Sequence, residues 1–206
     1  PPGFTHAGID ESFDTTGFRS IYGATKLASE LLVQEYRASF GVTAVVNRCG
    51  VIAGPGQWGK VDQGVYTLWV ANHLFGRPLR YTGFDGRGHQ VRDLLHPDDL
   101  SDLVVRQAER MDELDGIAFN VGGGQEASTS LAEYTDVCRQ VTGATVPIAA
   151  QPETSPVDVP YYVTNNARVT QALDWRPRHS VYDIVRDINA WLHSDRDRVA
   201  PIFATE

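Results

Sequence analysis

The sequence predicts an α/β fold built around a mainly parallel sheet. Short runs rich in β-branched residues, such as TAVVN at residues 43–47, alternate along the chain with segments of helical periodicity. The helical segments also carry start and stop signals, which place their ends independently of the apolar pattern. This alternation is typical of parallel strands whose faces are covered by helices.

The first third of the chain is predicted to give a loop, a helix, a strand and a second loop. Residues 1–20 are rich in Gly, Pro, Asp and Thr and are expected to form a loop. A helix is predicted over 22–40, with Gly41 as its C-terminal stop. The run at 43–47 is predicted to be a buried parallel strand, and the Gly-rich stretch at 54–64 a loop.

The middle of the chain continues the alternation. Residues 65–75 are predicted to be helical, and residues 79–96 are predicted to form a strand, a Gly-rich turn and a second strand. Pro97 then opens a helix over 97–110, because proline suits the first helical turn. Two aspartates follow in that turn, where the helix dipole favours negative charge.

The last third adds a strand and two capped helices. IAFNVGG at 117–123 is predicted to be a strand that runs into a turn. Ser130 and Glu133 form a capping box for a helix over 131–142. Ser180 starts the last helix in the same way.

Composition limits the classes of function. The 206 residues suffice for one sizeable core. A formal net charge of −8 argues against nucleic acid as a partner. No apolar stretch is long enough for a membrane span, and Cys49 and Cys138 form neither a disulfide framework nor a metal-type spacing. We therefore expect a cytoplasmic protein without a membrane or nucleic-acid partner.

Tyr22 and Lys26 are the strongest candidates for catalytic chemistry. They stand four residues apart at the head of the predicted helix, so both side chains can reach a common point. A tyrosine phenol is a poor proton acceptor at neutral pH, but a lysine ammonium a few Å away stabilises the phenolate. Such a pair can move a proton to or from a hydroxyl group. The alternative is a surface helix that carries this spacing by chance.

Four motifs, in order, resemble one enzyme family. SIYGATKLASE resembles the active-site helix of the extended short-chain dehydrogenases/reductases, the superfamily of NAD-dependent nucleotide-sugar epimerases and dehydratases. GHQVRDLLHPDDL, FNVGGG and ARVTQALDWRP resemble later segments of that family, and the match covers nearly the whole chain. Within the family, VDQGVYTLWV, GHQVRDLLH and NVGGGQEASTSL are most similar to the CDP-paratose (CDP-tyvelose) 2-epimerases.

The resemblance implies a set of residues on the cofactor side. Tyr22 would be the catalytic acid–base tyrosine, and Lys26 would hold the nicotinamide ribose of NAD and assist that tyrosine. The backbone near Cys49 and Val51 would border the nicotinamide. UDP-galactose 4-epimerases carry an asparagine where this chain has Val51, which counts against that subfamily.

The resemblance also implies residues on the side of a nucleotide-diphosphate sugar. Arg92 would bind the diphosphate, since a guanidinium forks onto phosphate oxygens; the alternative is an ordinary ion pair with Asp93. Gln63 lies in the loop that leads to the substrate, and Asp158 resembles an acid on the nucleotide side. The family's arginine three residues before that acid is Ser155 here, which leaves the nucleotide and the role of Asp158 open.

The implied fold is the late part of a doubly wound, Rossmann-like parallel sheet with a small C-terminal substrate lobe. Residues 1–206 would form the C-terminal part of an epimerase/dehydratase domain. The sheet portion would lie mainly in 20–55 and 90–125, and the substrate lobe mainly in 56–90 and 126–206. The N-terminal half, with the glycine fingerprint for NAD and the catalytic Ser/Thr, would be absent.

One glycine motif imitates a dinucleotide fingerprint. GPGQWG at 54–59 matches G-x-G-x-x-G after a strand. We reject it, because that fingerprint belongs to the first strand–helix turn, where backbone amides hold the pyrophosphate. Here the motif follows the Tyr-x-x-x-Lys helix and contains Pro55, which has no N–H to donate. NVGGGQ at 120–125 is likewise predicted to be a turn after a strand, not a phosphate loop.

No metal site is predicted. His96 precedes Pro97 within a family motif and is expected to anchor that turn. The other histidines have no ligand spacing between them; they are His6, His73, His89, His179 and His193.

The sequence therefore predicts an NAD-dependent nucleotide-sugar 2-epimerase that works through a transient ketone, assembled as a homo-oligomer through the 22–40 helix. The alternatives are a 4-epimerase, 4,6-dehydratase or reductase of the same fold, or a non-catalytic binding or assembly module. The isolated chain is expected to be inactive, to bind NAD poorly and to self-associate, because the strand at 43–47 lacks an expected neighbour.

Overall fold

Helices and strands alternate along the chain in the computed structural model, which describes residues 2–17, 20–59 and 64–203. The helices are α1 (Ile21–Phe40), α2 (Val65–Phe75), α3 (Pro97–Glu109), α4 (Met111–Leu114), α5 (Leu131–Thr142), α6 (Ala167–Leu173), α7 (Val181–Ser194) and α8 (Arg196–Phe203). The strands are β1 (Phe4–Thr5), β2 (Gly8–Ile9), β3 (Val46–Cys49), β4 (Val51–Ile52), β5 (Leu79–Thr82), β6 (Val91–Leu95), β7 (Ala118–Val121), β8 (Ser128–Ser130), β9 (Ile148–Gln151) and β10 (Tyr161–Tyr162).

Most strand pairs are parallel. Strand β3 pairs with β7, β4 with β6, β6 with β10 and β5 with β9, all in parallel register. The antiparallel pairs are β1 with β2 and β6 with β8. The predicted α/β fold with a mainly parallel, Rossmann-like sheet is thereby confirmed. None of the helices in the described part of the chain is both long and apolar enough to cross a bilayer.

Strands β3 and β4 are two halves of one extended run, and the run changes its partner at Gly50. Before that glycine in sequence, β3 pairs with β7; after it, β4 pairs with β6. The strand predicted at 43–47 therefore begins later, at Val46. The reason is a contact with a distant part of the chain: Ala44 accepts a hydrogen bond from the Gly116 N–H at 2.8 Å and donates one to Asp115 at 2.9 Å, in the loop before β7.

The helix signals in the sequence identify helix ends well. Both predicted capping boxes are present, at the start of α5 and at the start of α7. Helix α1 begins after Ser20, whose Oγ accepts the Gly23 N–H at 3.0 Å, and ends at Gly41 with φ of 67°. The short strands β1, β2, β4 and β8 to β10 and helices α4, α6 and α8 were not predicted, because runs of two to eight residues give little periodicity; β1 and β2 lie within the predicted loop over 1–20.

The buried apolar residues form two clusters. One lies among α2, α5 and α7 and includes Trp69, Tyr134 and Ile188. The other lies beside β7 and includes Phe119 and Trp175. Helix α1 contributes no buried residue to either cluster.

Candidate functional site

Helix α1 places Tyr22 and Lys26 side by side in its first two turns. The Lys26 Nζ lies 5.3 Å from the centroid of the Tyr22 ring, within cation–π range. Both side chains are exposed, with 63% of Tyr22 accessible. Among the described residues, no carboxylate forms an ion pair with Lys26. The pair is therefore free to contact a hydroxyl-bearing ligand.

Two arginine–carboxylate pairs attach α1 to the sheet. Arg48 on β3 contacts Glu30 at 2.7 Å, and Arg37 contacts Asp115 at 2.8 Å, each through two guanidinium nitrogens. Such bidentate pairs fix orientation more firmly than a single contact does. The remaining face of the helix presents exposed apolar side chains, which are Ile21, Leu31, Leu32, Tyr36 and Phe40.

Cys49 and Val51 flank the residue at which the strand changes partner. Cys49 ends β3 and is exposed, whereas Val51 is half-buried in β4 opposite Leu94. The intervening Gly50 donates its N–H to the Val121 carbonyl at 2.8 Å. The carboxyl ends of β3 and β7 therefore meet beside this segment, which is where α/β sheets bind their ligands.

Arg92 on β6 pairs with Asp158, so the structure brings together two of the predicted substrate-side residues. The Arg92 Nη2 donates to Asp158 Oδ1 at 2.9 Å, and its Nη1 donates to the Val91 carbonyl at 2.8 Å. The alternative ion pair with Asp93 is wrong, because Asp93 is fully buried and its carboxylate accepts a hydrogen bond from elsewhere. Gln63 lies outside the described residues.

The glycines of GPGQWG are explained by packing within the chain. A Cβ at Gly54 would lie 2.3 Å from Pro97 Cδ, and a Cβ at Gly59 would lie 2.5 Å from the Leu68 backbone nitrogen. Gly56 has φ of 83° and faces open space. Two of the three glycines thus allow segments of this chain to approach one another, which supports the rejection of this loop as a dinucleotide fingerprint.

His96 caps α3 and stacks on His179. Its Nδ1 accepts the Asp98 N–H at 3.1 Å, as the expected anchor of that turn, and its ring centroid lies 4.0 Å from that of His179. Burial, followed by the neighbouring His179, lowers the pKa of His96. The sequence spacing gave no sign of this meeting of two histidines.

Possible ligand atoms of His96, Asp98 and His179 lie within 4.8 Å of one another. The two rings are nearly parallel, at 18°, so their in-plane lone pairs do not converge on one point. One nitrogen of His96 is also already engaged as the helix cap. This geometry does not suit a tetrahedral metal centre, and the absence of a metal site stays a prediction.

Comparison with known proteins agrees with the motifs. The family described as "NAD dependent epimerase/dehydratase family" matches residues 3–122. The CDP-paratose 2-epimerase of Salmonella typhi is 29% identical over 193 residues, covering 91% of this chain and 55% of that protein. The UDP-glucose 4-epimerase of Azospirillum brasilense is 31% identical over 188 residues, covering 84% of this chain and 52% of that protein.

A solved structure shares the fold. The dTDP-glucose 4,6-dehydratase of Bacillus anthracis, determined in complex with NAD, superposes with a TM-score of 0.78 at 21% identity, covering 97% of this chain and 60% of that one. The chain spans about half the length of the curated relatives it matches. The family match extends over more than half of the chain and includes the Tyr22–Lys26 helix and the β6 motif. The chain belongs to the NAD-dependent epimerase/dehydratase family.

Proposed function

We propose that this chain is the tyrosine-bearing, substrate-side part of an NAD-dependent epimerase that inverts C2 of a nucleotide-diphosphate sugar. The observation that carries the proposal is the exposed Tyr22–Lys26 pair at the start of α1. The similarity to a CDP-paratose 2-epimerase over 91% of the chain favours the 2-epimerase among the activities of the family.

Tyr22 is the proton-transfer group in this proposal. Its phenolic oxygen takes the proton of the sugar hydroxyl as the carbon is oxidised to a ketone, and gives a proton back when the carbon is reduced from its other face. Lys26 supplies a positive charge beside the ring, with its Nζ 5.3 Å from the ring centroid. Positioning and proton transfer are thus the tasks of these two residues.

The residues near the pair suit a nicotinamide cofactor. Lys26 has no carboxylate partner among the described residues, so its ammonium can donate hydrogen bonds to ribose hydroxyls. Cys49 and Val51 flank a glycine at the end of a parallel strand, where the backbone can approach a planar ring closely. Bound NAD would supply the acceptor and donor of the hydride.

Arg92 is the proposed anchor for the diphosphate. Its side chain is 18% exposed and is oriented by Asp158 and by the Val91 carbonyl, so little rotamer entropy remains to be lost on binding. A guanidinium can hold phosphate oxygens through two parallel hydrogen bonds. Asp158 and Gln63 are also proposed to contact the nucleotide-sugar.

Other reactions of the same family are the nearest alternatives. The 31% identical UDP-glucose 4-epimerase and the NAD-bound 4,6-dehydratase of the same fold keep a 4-epimerase, a 4,6-dehydratase or a reductase in consideration. Val51 stands where the 4-epimerases carry asparagine, which favours the 2-epimerase. A non-catalytic binding or assembly module is the alternative from another class, and the free, adjacent Tyr22 and Lys26 argue against it.

Activity is proposed to require a further cofactor-binding segment and a second copy of the chain. The glycine motifs within the described residues are used for internal packing, so a separate strand–helix turn must hold the pyrophosphate. The apolar face of α1 is proposed to contact the same face of a partner subunit. By this proposal the isolated chain turns over no sugar nucleotide.

The test is an assay of the intact enzyme with NAD and a panel of CDP-, UDP- and dTDP-hexoses in deuterated water. A 2-epimerase that returns the same hydride gives a C2 epimer with no solvent deuterium on the inverted carbon. Inversion at C4 supports the 4-epimerase alternative, and loss of water supports the dehydratase. Failure to convert any of these sugar nucleotides, with NAD bound, would refute the proposed function.

A further inference from the structure

Strands β6 and β7 diverge at Gly50, and we call this place the fork. Strand β7 pairs with β3, which precedes this glycine in sequence, and β6 pairs with β4, which follows it. A gap therefore opens between β6 and β7, and the side chain that fills it is Asp93, which comes from the middle of β6 and has no exposed surface. The fork thus holds a buried carboxylate directly behind the 49–51 segment.

Glycines surround that carboxylate on two sides. A Cβ at Gly50 would lie 3.3 Å from Asp93 Oδ1, and a Cβ at Gly122 would lie 2.2 Å from Asp93 Oδ2. Gly124 donates its N–H to Asp93 Oδ2 at 3.0 Å. The backbone of the NVGGG turn after β7 therefore binds a carboxylate, which is that of Asp93 in the same chain.

Among the residues that the structure describes, no cation pairs with this carboxylate. The neighbouring Arg92 points to Asp158 on the other side of the strand. Neither Asp93 Oδ1 nor the buried Thr164 Oγ1 has a well-aligned hydrogen-bond partner within the described part of the chain. Burial raises the pKa of Asp93, and interactions with the Gly124 N–H and with Thr164 oppose that rise. Burying a carboxyl group without a cationic partner costs free energy, which the hydrogen bond from the Gly124 N–H offsets in part.

We infer that Asp93 is a positioning residue, which holds the 49–51 segment at a fixed distance from β6 and β7. The carboxylate faces Gly50, where an added Cβ would lie 3.3 Å from Oδ1, and it accepts the Gly124 N–H from the turn at 122–124. Because Cys49 and Val51 are the residues assigned to the nicotinamide border, this inference rests on the proposed function. Asp93 would position the segment that borders the cofactor, whereas Arg92, one residue away, would bind the diphosphate of the substrate.

Two substitutions test the fork: one removes the Asp93 carboxylate, and the other adds a methyl group at Gly50. Asp93→Ala removes the carboxylate, and Asp93→Asn serves as its rescue, because the amide oxygen can still accept the Gly124 N–H. Gly50→Ala adds a methyl group 3.1 Å from Thr164 Oγ1, a gentle displacement that the fold can absorb if Asp93→Ala does not fold. Asp112→Ala, at an exposed aspartate of α4, is the matched control.

The experiment measures three quantities: hydrogen exchange of the Gly124 amide and the residue-50 amide, CDP and UDP affinity, and NAD affinity of the intact enzyme. We expect Asp93→Ala and Gly50→Ala to speed exchange at least tenfold and to weaken NAD at least tenfold, with CDP and UDP affinities within twofold of wild type. Asp93→Asn should stay within threefold on every measure. Arg92→Ala should show the reverse pattern, with weaker CDP and UDP binding, unchanged exchange and unchanged NAD affinity.

Two results would overturn the positioning role. Exchange and NAD affinity that stay at wild-type values in both fork variants would show that Asp93 does not hold the segment. Equal losses of NAD, CDP and UDP affinity would show that it supports the fold in general. A wild-type enzyme that binds no NAD would instead refute the proposed function, and amide exchange alone would then decide whether Asp93 fixes Gly50.

Discussion

The Arg92 guanidinium and the Asp158 carboxylate, 66 residues apart in sequence, are joined by a hydrogen bond of 2.9 Å. The bond ties β6 to the loop before β10 and leaves both side chains partly exposed. A cation oriented in this way at the surface is well placed to receive a phosphate.

Replacing Arg92 should weaken binding of the nucleotide diphosphate. We expect Arg92→Ala to lose roughly 1.5–3 kcal/mol, the range for charge-assisted hydrogen bonds. Arg92→Lys keeps the charge but loses the forked geometry of the guanidinium, so its affinity should lie between those of wild type and Arg92→Ala. Calorimetric titration with CDP and UDP measures both losses. Equal affinities of wild type and Arg92→Ala would remove this residue from the site.

Adding a methyl group at Gly122 should destabilise the fold. Its Cβ would lie 2.2 Å from Asp93 Oδ2 and 2.3 Å from Thr164 Oγ1, closer than atoms can pack. We expect Gly122→Ala to lower the free energy of unfolding by about 1–3 kcal/mol, as overpacking does. Gly17→Ala is the control for urea denaturation, because a Cβ added there would meet no atom within 4 Å. The same stability in both variants would mean that the fork has more room than its geometry indicates.

Stability should fall on acidification through the titration of His96. Burial lowers the pKa of His96 in the native state below its unfolded value near 6.5. The unfolded chain therefore binds more protons, and stability is lost as pH falls below about 6.5 towards the native pKa. His96→Asn keeps a cap for α3 without the titrating ring. Urea unfolding at pH 7.5 and 5.0 should show a smaller loss in this variant, and an unchanged loss would contradict the assignment.

The isolated chain should self-associate through the apolar face of α1. Leu31 and Leu32 are 55% and 60% exposed, so they can be replaced without cost to the core. Light scattering should find oligomers of the wild-type chain and a smaller species for the double variant Leu31→Glu, Leu32→Glu. Gln34→Glu adds a charge to the same helix outside the leucines and should leave the oligomer intact. A monomeric wild-type chain would rule out this surface.

Local signals in the sequence located most of the helices. The start of α5 follows from the capping box of Ser130 and Glu133, and the end of α1 follows from Gly41, because caps depend only on neighbouring residues. The strand at 43–47 was placed three residues early, because contacts of Ala44 with the distant Asp115 and Gly116 decide where pairing begins. No local pattern reports such contacts.

In the candidate site, too, residues related by local spacing were found, and contacts between residues distant in sequence were not. Tyr22 and Lys26 were found from spacing, because a helix turns a difference of four residues into proximity. The alternative reading of Arg92, an ion pair with the adjacent Asp93, was wrong because successive strand residues point to opposite sides; its partner is Asp158. The meeting of His96 with His179 depends on how α3 and α7 pack, which the spacing of histidines does not indicate.

The central claim is that Tyr22 transfers the proton in an NAD-dependent epimerisation, and Tyr22→Phe tests it most directly. The variant keeps the ring that lies beside Lys26 but removes the proton carrier. With NAD bound and the fold intact, we expect kcat of the intact enzyme to fall at least ~100-fold, the low end for general acid–base catalysis. Tyr182→Phe, at an exposed tyrosine of α7, should stay near wild type. Turnover by Tyr22→Phe within a few-fold of wild type would contradict the account.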